Sequence, residues 1–209
     1  MLKLSLRWLL PLLLIPALAQ AAEFQEGRNY TRIVPAQPTE SKGKIEVVEL
    51  FWYGCPHCHR FQPYLERWAK QLPADVEYRR MPATLAEHWI IHARAFYTAE
   101  ALGVLDKIHK PLFDAIHAQK RRLDTEERLM EFFAEQGVSN DDFKKTFNSF
   151  SVETKVRRAK EMSRRYMTEA TPSVVINGKY ILNSGQVEGN FNTMIKAMDF
   201  LIDKERKGL

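Results

Sequence analysis

The order of patterns along the chain predicts an α/β fold whose mixed sheet is interrupted by an all-helical insertion. Three observations carry that expectation. Ile45 to Tyr53 (IEVVELFWY) reads as a strand buried on both faces, and it runs through Gly54 into a helical pattern. From Thr84 to about Met167 every periodic segment is helical. At Pro172 short apolar runs return around Asn177-Gly178, a strong hairpin signal, and a final helix follows. This order describes a small α/β unit with helices spliced into it.

The N-terminus begins with a basic segment holding Lys3 and Arg7, then an apolar run from Trp8 to Ala19. The run is broken by Pro11 and Pro16 and falls short of the roughly 20 residues that span a bilayer. Ala19-Gln20-Ala21 is a small-x-small cleavage site, so residues 1–21 read as a secretory signal peptide. Cleavage after Ala21 leaves 188 of the 209 residues and lowers the formal charge from +5 to +3, because the segment carries two cations and no acid. That mild positive balance, without clustered basic and aromatic residues, argues against nucleic-acid binding. No later stretch is long and apolar enough to cross a membrane.

Tyr30 to Val34 is expected as a short first strand, and Lys42-Gly43-Lys44 as a turn into the central strand. Within that strand Glu46 lies near the start and reads as solvated. Glu49 lies deeper, where an unpaired carboxylate is costly. His59 to Leu72 reads as a helix from the spacing of Phe61, Leu65 and Trp68, with Pro56 tolerated in the first turn and Pro63 expected to kink it. Val76 to Met81 is a further strand. Helices are expected at Glu87–Leu102 and Leu105–Ala118, after Asp124-Thr125-Glu126-Glu127 read as a cap with a glutamate three residues on, after Ser139, and from Ser151 to Met167. Ser173–Ile176 and Lys179–Leu182 form the hairpin, and Asn190–Lys204 the last helix. The basic stretch Lys155 to Arg165 reads as a solvated face.

The chemistry centres on Cys55-Pro56-His57-Cys58, which holds the only two cysteines. A Cys-x-x-Cys pair can be a redox disulfide, half a metal site or part of a haem attachment. Export puts the thiols where disulfides persist. A bridge closing so small a loop does little to restrain the unfolded chain, so the pair points to chemistry. Cys55 leaves a strand and opens a helix, where amide N–H groups and the helix dipole favour a thiolate. His57, if protonated or donating a hydrogen bond, would favour it further. A thiolate stabilised in this way leaves readily, which makes the disulfide oxidising. Two rivals are weaker. Cys55 to His59 contains the Cys-x-x-Cys-His haem pattern, but it follows a buried strand. His88 and His92 sit four apart on a helix, yet they lack the glutamate of zinc proteases and a third ligand, and read as solvent-facing.

Strand, Cys-x-x-Cys, helix and a later Thr171-Pro172 before a hairpin resemble the thioredoxin superfamily. The Pro-His dipeptide, an acid six residues upstream of Cys55 and a helical insertion of this size resemble its DsbA-like periplasmic thiol:disulfide oxidoreductases, across essentially all of the mature chain. The resemblance implies a thioredoxin-like domain of residues 22–84 and 168–209, with a helical insertion domain at 85–167. It implies that Cys55 is the exposed attacking and leaving sulfur and Cys58 its buried partner. Pro172 would be the cis-proline facing the disulfide, letting the backbone of Thr171 pair with substrate. Thr171 stands where several oxidases of the family carry an apolar residue. Glu49 would be the buried acid that relays a proton to Cys58 or raises its pKa, and Arg80 falls near the family's buried lysine and could pair with Glu49. Phe61 and Leu65 match positions lining a peptide groove, while their helical spacing equally suits a core; His57 is a further substrate-binding candidate. The implied reaction donates the Cys55–Cys58 disulfide to newly exported, unfolded proteins bearing free cysteines, through a mixed disulfide on Cys55. A DsbB-like, quinone-linked membrane protein would reoxidise the pair. The implied cycle needs no bound cofactor; no metal is expected from the residues, and a monomer is the preferred state. A periplasmic reductase, isomerase or thiol-dependent chaperone of the same fold is the alternative.

Overall fold

The structure is a computed structural model and describes residues 24–208; the expected signal peptide, residues 1–21, lies outside them. Five strands form one sheet in the order β1 (Thr31–Arg32), β5 (Tyr180–Asn183), β4 (Ser173–Ile176), β2 (Ile45–Phe51), β3 (Val76–Pro82). Only β2 and β3 run parallel; the other three pairs are antiparallel, which gives the mixed sheet that was expected. β2 lies inside the sheet between β4 and β3 and is buried almost throughout, Glu46 and Glu49 included.

Both faces of the sheet are covered. Val47, Val174, Ile176 and Leu182 pack with α1 (Pro56–Ala69) and α7 (Phe191–Arg206) through Phe61, Leu65, Trp68, Met194, Met198 and Leu201. On the other face Val48, Leu50, Val175 and Ile181 meet Met162 and Tyr166, at the C-terminal end of α6 (Phe150–Arg165). The helices between β3 and β4 are α2 (Ile90–Ala101), α3 (Leu105–His117), α4 (Glu126–Glu135), α5 (Asn140–Phe147) and α6. Their phenylalanine-rich core is continuous with Phe51, Tyr53, Cys55 and Cys58, so the helical block packs directly against the cysteines.

The Asn177-Gly178 turn takes φ values of 50° and 65°, the left-handed pair of a tight hairpin. A side chain at Gly178 would lie 2.1 Å from the Gln37 carbonyl, so glycine also admits the N-terminal segment. Several expectations need correction. The first strand is only Thr31–Arg32, and Glu87–Trp89 forms a 3₁₀ turn ahead of α2. Glu46 is 1% exposed: it accepts hydrogen bonds from the Glu40 and Ser41 backbone N–H groups, the Ser41 hydroxyl and Arg79, because the N-terminal segment folds over it. The cap of α4 is Thr125, which accepts from the Arg128 N–H; Asp124 pairs instead with Arg122 and Arg128. The cap at Ser139 stands as expected. α1 continues past Pro63 to Ala69. Of the basic residues on α6, Lys155, Arg157, Arg158, Lys160 and Arg165 each pair with a glutamate.

Candidate active site

β2 ends at Phe51, and a turn over Trp52–Gly54 delivers the chain into α1. Gly54 is required by contact and not by φ: a Cβ there would meet the Trp52 indole at 2.3 Å. That indole stacks on Trp89 at 4.4 Å with planes 3° apart. Cys55 is the N-cap of α1, Pro56 occupies its first turn, and the Cys55 sulfur accepts from the Cys58 N–H at 3.4 Å. Both cysteines are free thiols. Cys55 is 7% exposed and Cys58 is fully buried. The expectation of an exposed Cys55 is therefore corrected to a largely buried one, because the helical core packs against it.

The two thiols are pulled apart electrostatically. Cys55 is lowered to about 5, first by the Cys58 thiol, then by the Thr171 side chain and the Cys58 and His57 backbone N–H groups, with burial opposing. Burial pushes Cys58 well up, helped by hydrogen bonding to Cys55 and by the negative charges of Cys55 and Glu49. The peptide bond before Pro172 is cis, and the Cys55 thiol donates to the Thr171 carbonyl at 3.3 Å. The exposed imidazole of His57 accepts from Arg60 at 3.1 Å. What His57 offers Cys55 here is its backbone N–H and not its ring.

Glu49 is fully buried, and burial raises its pKa despite Arg80, Tyr78 and Gln62. Gln62 donates to Oε1 at 2.7 Å and the Tyr78 hydroxyl donates to Oε2. Arg80 Nε lies 3.7 Å from Oε2, an ion pair too long for a hydrogen bond. Behind Gln62, His109 Nε2 lies 3.1 Å from Gln62 Oε1, and the Tyr53 hydroxyl lies 2.9 Å from His109 Nδ1. Gln62, Tyr78, His109 and Tyr53 were not singled out in the sequence. Gln62 left one faint signal, a polar residue one turn beyond Cys58 on the buried face of α1.

Two groove candidates fail. Phe61 and Leu65 are 0% exposed, with Phe61 stacked on Phe191 at 4.9 Å, so they belong to the core between α1 and α7 and cannot line a surface groove. The histidines are also redistributed. His92 is buried and donates from Nε2 to the Leu123 carbonyl at 2.9 Å, while His88 lies edge-on to Trp52. His92 was expected to face solvent and is instead a core residue. His59 pairs with Asp114 at 2.9 Å and stacks on His117.

Comparison with known proteins agrees with this geometry. A family model described as the DSBA-like thioredoxin domain matches residues 90–193. The thiol:disulfide interchange protein DsbA of Azotobacter vinelandii is 43% identical over 185 residues, spanning 88% of this chain and 86% of the relative. That of Pseudomonas aeruginosa PAO1 is 40% identical over 188 residues, spanning 90% and 89%. The crystal structure of Pseudomonas aeruginosa DsbA matches with a TM-score of 0.85 at 39% identity, covering 90% of this chain and 97% of that one. A thioredoxin-like sheet with a helical insertion, a split-pKa cysteine pair and relatives at this level lead to one conclusion: the chain belongs to the DsbA-like family of thiol:disulfide oxidoreductases.

Proposed function

We propose that the chain is a dithiol oxidase of the periplasm, delivered there by cleavage of residues 1–21, and that Cys55 is its reactive sulfur. The observation that carries this reading is the split between the thiols, with Cys55 at about 5 and Cys58 well above its ordinary value. A substrate thiolate attacks Cys55 Sγ; the Cys55–Cys58 bond breaks, its electron pair goes to Cys58 Sγ, and a mixed disulfide forms on Cys55. Cys58 is buried and binds a proton tightly, so it needs a donor close by. Glu49, whose pKa burial raises, supplies that proton and becomes a carboxylate braced by Tyr78, Gln62 and Arg80. The substrate's second thiol then attacks its own sulfur in the mixed disulfide, releasing Cys55 as a stabilised thiolate.

Thr171 and Pro172 flank Cys55, and their backbone is the docking edge in this reading. Unfolded exported proteins with free cysteines are the substrates. A DsbB-like membrane oxidase returns the disulfide, and the protein acts as a monomer. The thioredoxin-like part is residues 22–84 with 168–209 and the helical part is 85–167. The test is refolding of a reduced, cysteine-containing protein by the oxidised form. One substrate disulfide should appear for each Cys55–Cys58 bridge lost, and Cys55→Ser should be inert. A reduction potential in the strongly reducing range would overturn the direction in favour of a reductase.

A further inference from the structure

With Glu49 as a carboxylate, the buried hydrogen bonds around it have one consistent polarity. A carboxylate oxygen can only accept, so Gln62 presents its NH₂ to Glu49 Oε1 at 2.7 Å. Gln62 Oε1 is then turned toward His109 Nε2, 3.1 Å away, and an oxygen there can only accept. His109 therefore carries its proton on Nε2, which leaves Nδ1 to accept from the Tyr53 hydroxyl at 2.9 Å. Phe51, Phe96 and Phe113 surround the imidazole. Burial keeps it neutral, with Arg80 acting in the same direction. The chain thus runs from α3, in the helical block, through α1 to the central strand.

We propose that His109 is a positioning residue for the redox reaction: by donating to Gln62 it fixes the amide so that its NH₂ grips Glu49, the acid that bears on Cys58. This rests on the role given to Glu49 above. A primary amide does not pass protons readily, so this branch orients the carboxyl group and does not conduct. Proton exchange falls to the Oε2 side, where the half-buried Tyr78 donates and Arg80 approaches. The charged or titratable groups facing Glu49 are Tyr78 and Arg80 from β3, Cys58 from α1 and Tyr53 from the turn between β2 and α1. Without the His109 N–H, Gln62 Oε1 is left buried and unpaired, and the amide is free to rotate away from Glu49.

The sign follows. The Gln62 hydrogen bond lowers the Glu49 pKa, so loosening it raises that pKa. Carboxyl titration of the reduced protein by isotope-edited infrared spectroscopy should show Glu49 shifted upward by about one pH unit in His109→Phe, the size of one hydrogen bond to a charged group. His109→Gln, which keeps a donor near the Nε2 position, should restore it. In a Gln62→Leu background, His109→Phe should add almost nothing. A packing role would lower thermal stability in both backgrounds and leave the titration alone. An unshifted Glu49 in His109→Phe, or an equal shift in the Gln62→Leu background, overturns the proposal. Imidazole ¹⁵N shifts of the unmodified protein test it without any substitution: the neutral Nε2–H tautomer is expected, and the Nδ1–H tautomer overturns it. Glu49→Gln separates the two levels. If it alters the pH profile of substrate oxidation while His109→Phe does not, only the positioning role falls; if it leaves the profile unchanged, both roles fall.

Discussion

Cys55 is held at about 5 chiefly by the convergence of small donors on one sulfur, and the His117 imidazole is coupled to it electrostatically. The Thr171 side chain is one of those donors, and it comes from the far end of the chain, beside the cis-proline. Removing it with Thr171→Val keeps the shape and deletes the hydroxyl. The Cys55 pKa should then rise by about half a unit to one unit, the scale of one ordinary net hydrogen bond. The pH dependence of alkylation of the reduced protein measures this, and an unmoved midpoint would remove the Thr171 hydroxyl from the donors on Cys55. At this scale the cysteines were legible because two are all the chain has, and Glu49 because a carboxylate inside an apolar strand demands a partner. Of its partners only Arg80 was anticipated, from the family resemblance, and the two do pair. Gln62, Tyr78, His109 and Tyr53 come from four different segments, and nothing in their local patterns says that they meet.

Among the elements, period and punctuation predicted what backbone physics controls. β4 at Ser173–Ile176, the Asn177-Gly178 turn and the Ser139 cap all fell where local chemistry put them. Choices decided by packing were misread. Phe61 and Leu65 carry a helical stripe that cannot say whether it faces a groove or α7, and α7 covers them. Asp124 and Thr125 are both good caps, and the aspartate is drawn off by Arg122 and Arg128. Thr125→Ala should cost about 1 kcal/mol by urea unfolding, and Asp124→Ala clearly less, since exposed ion pairs contribute little. The reverse order would restore Asp124 as the cap. The turn into α1 gives a sharper test. Gly54→Ala must displace the Trp52 indole from its stack on Trp89, next to the cap of the reactive helix. A loss of about 1–3 kcal/mol is expected, with a changed tryptophan fluorescence and slower substrate oxidation. Unchanged fluorescence would mean that the stack does not depend on that glycine.

For the whole molecule, the lowered Cys55 pKa makes the stability of the reduced protein depend on pH. A thiol whose pKa falls from 9.0 to about 5 on folding binds fewer protons in the folded state than in the unfolded state between those values. Its contribution is fully present above about pH 9, declines as the pH falls through the window, and is gone below about 5. The slope is at most about 1.4 kcal/mol per pH unit, so at pH 7 the contribution is at most roughly 2–3 kcal/mol. Glu49 works in the opposite sense, because its raised pKa penalises folding once the carboxyl must ionise. That penalty is shared by any variant that keeps Glu49, so it cancels in a difference. Urea unfolding of the reduced protein against reduced Cys55→Ser should therefore give a stability gap that widens steadily from pH 5 to pH 9. The same thiolate favours the dithiol form over the disulfide, so the slope of that gap is also the origin of the oxidising power. Parallel stability curves across the window would mean that the folded protein does not hold Cys55 as an anion, and the oxidase reading would lose its physical basis.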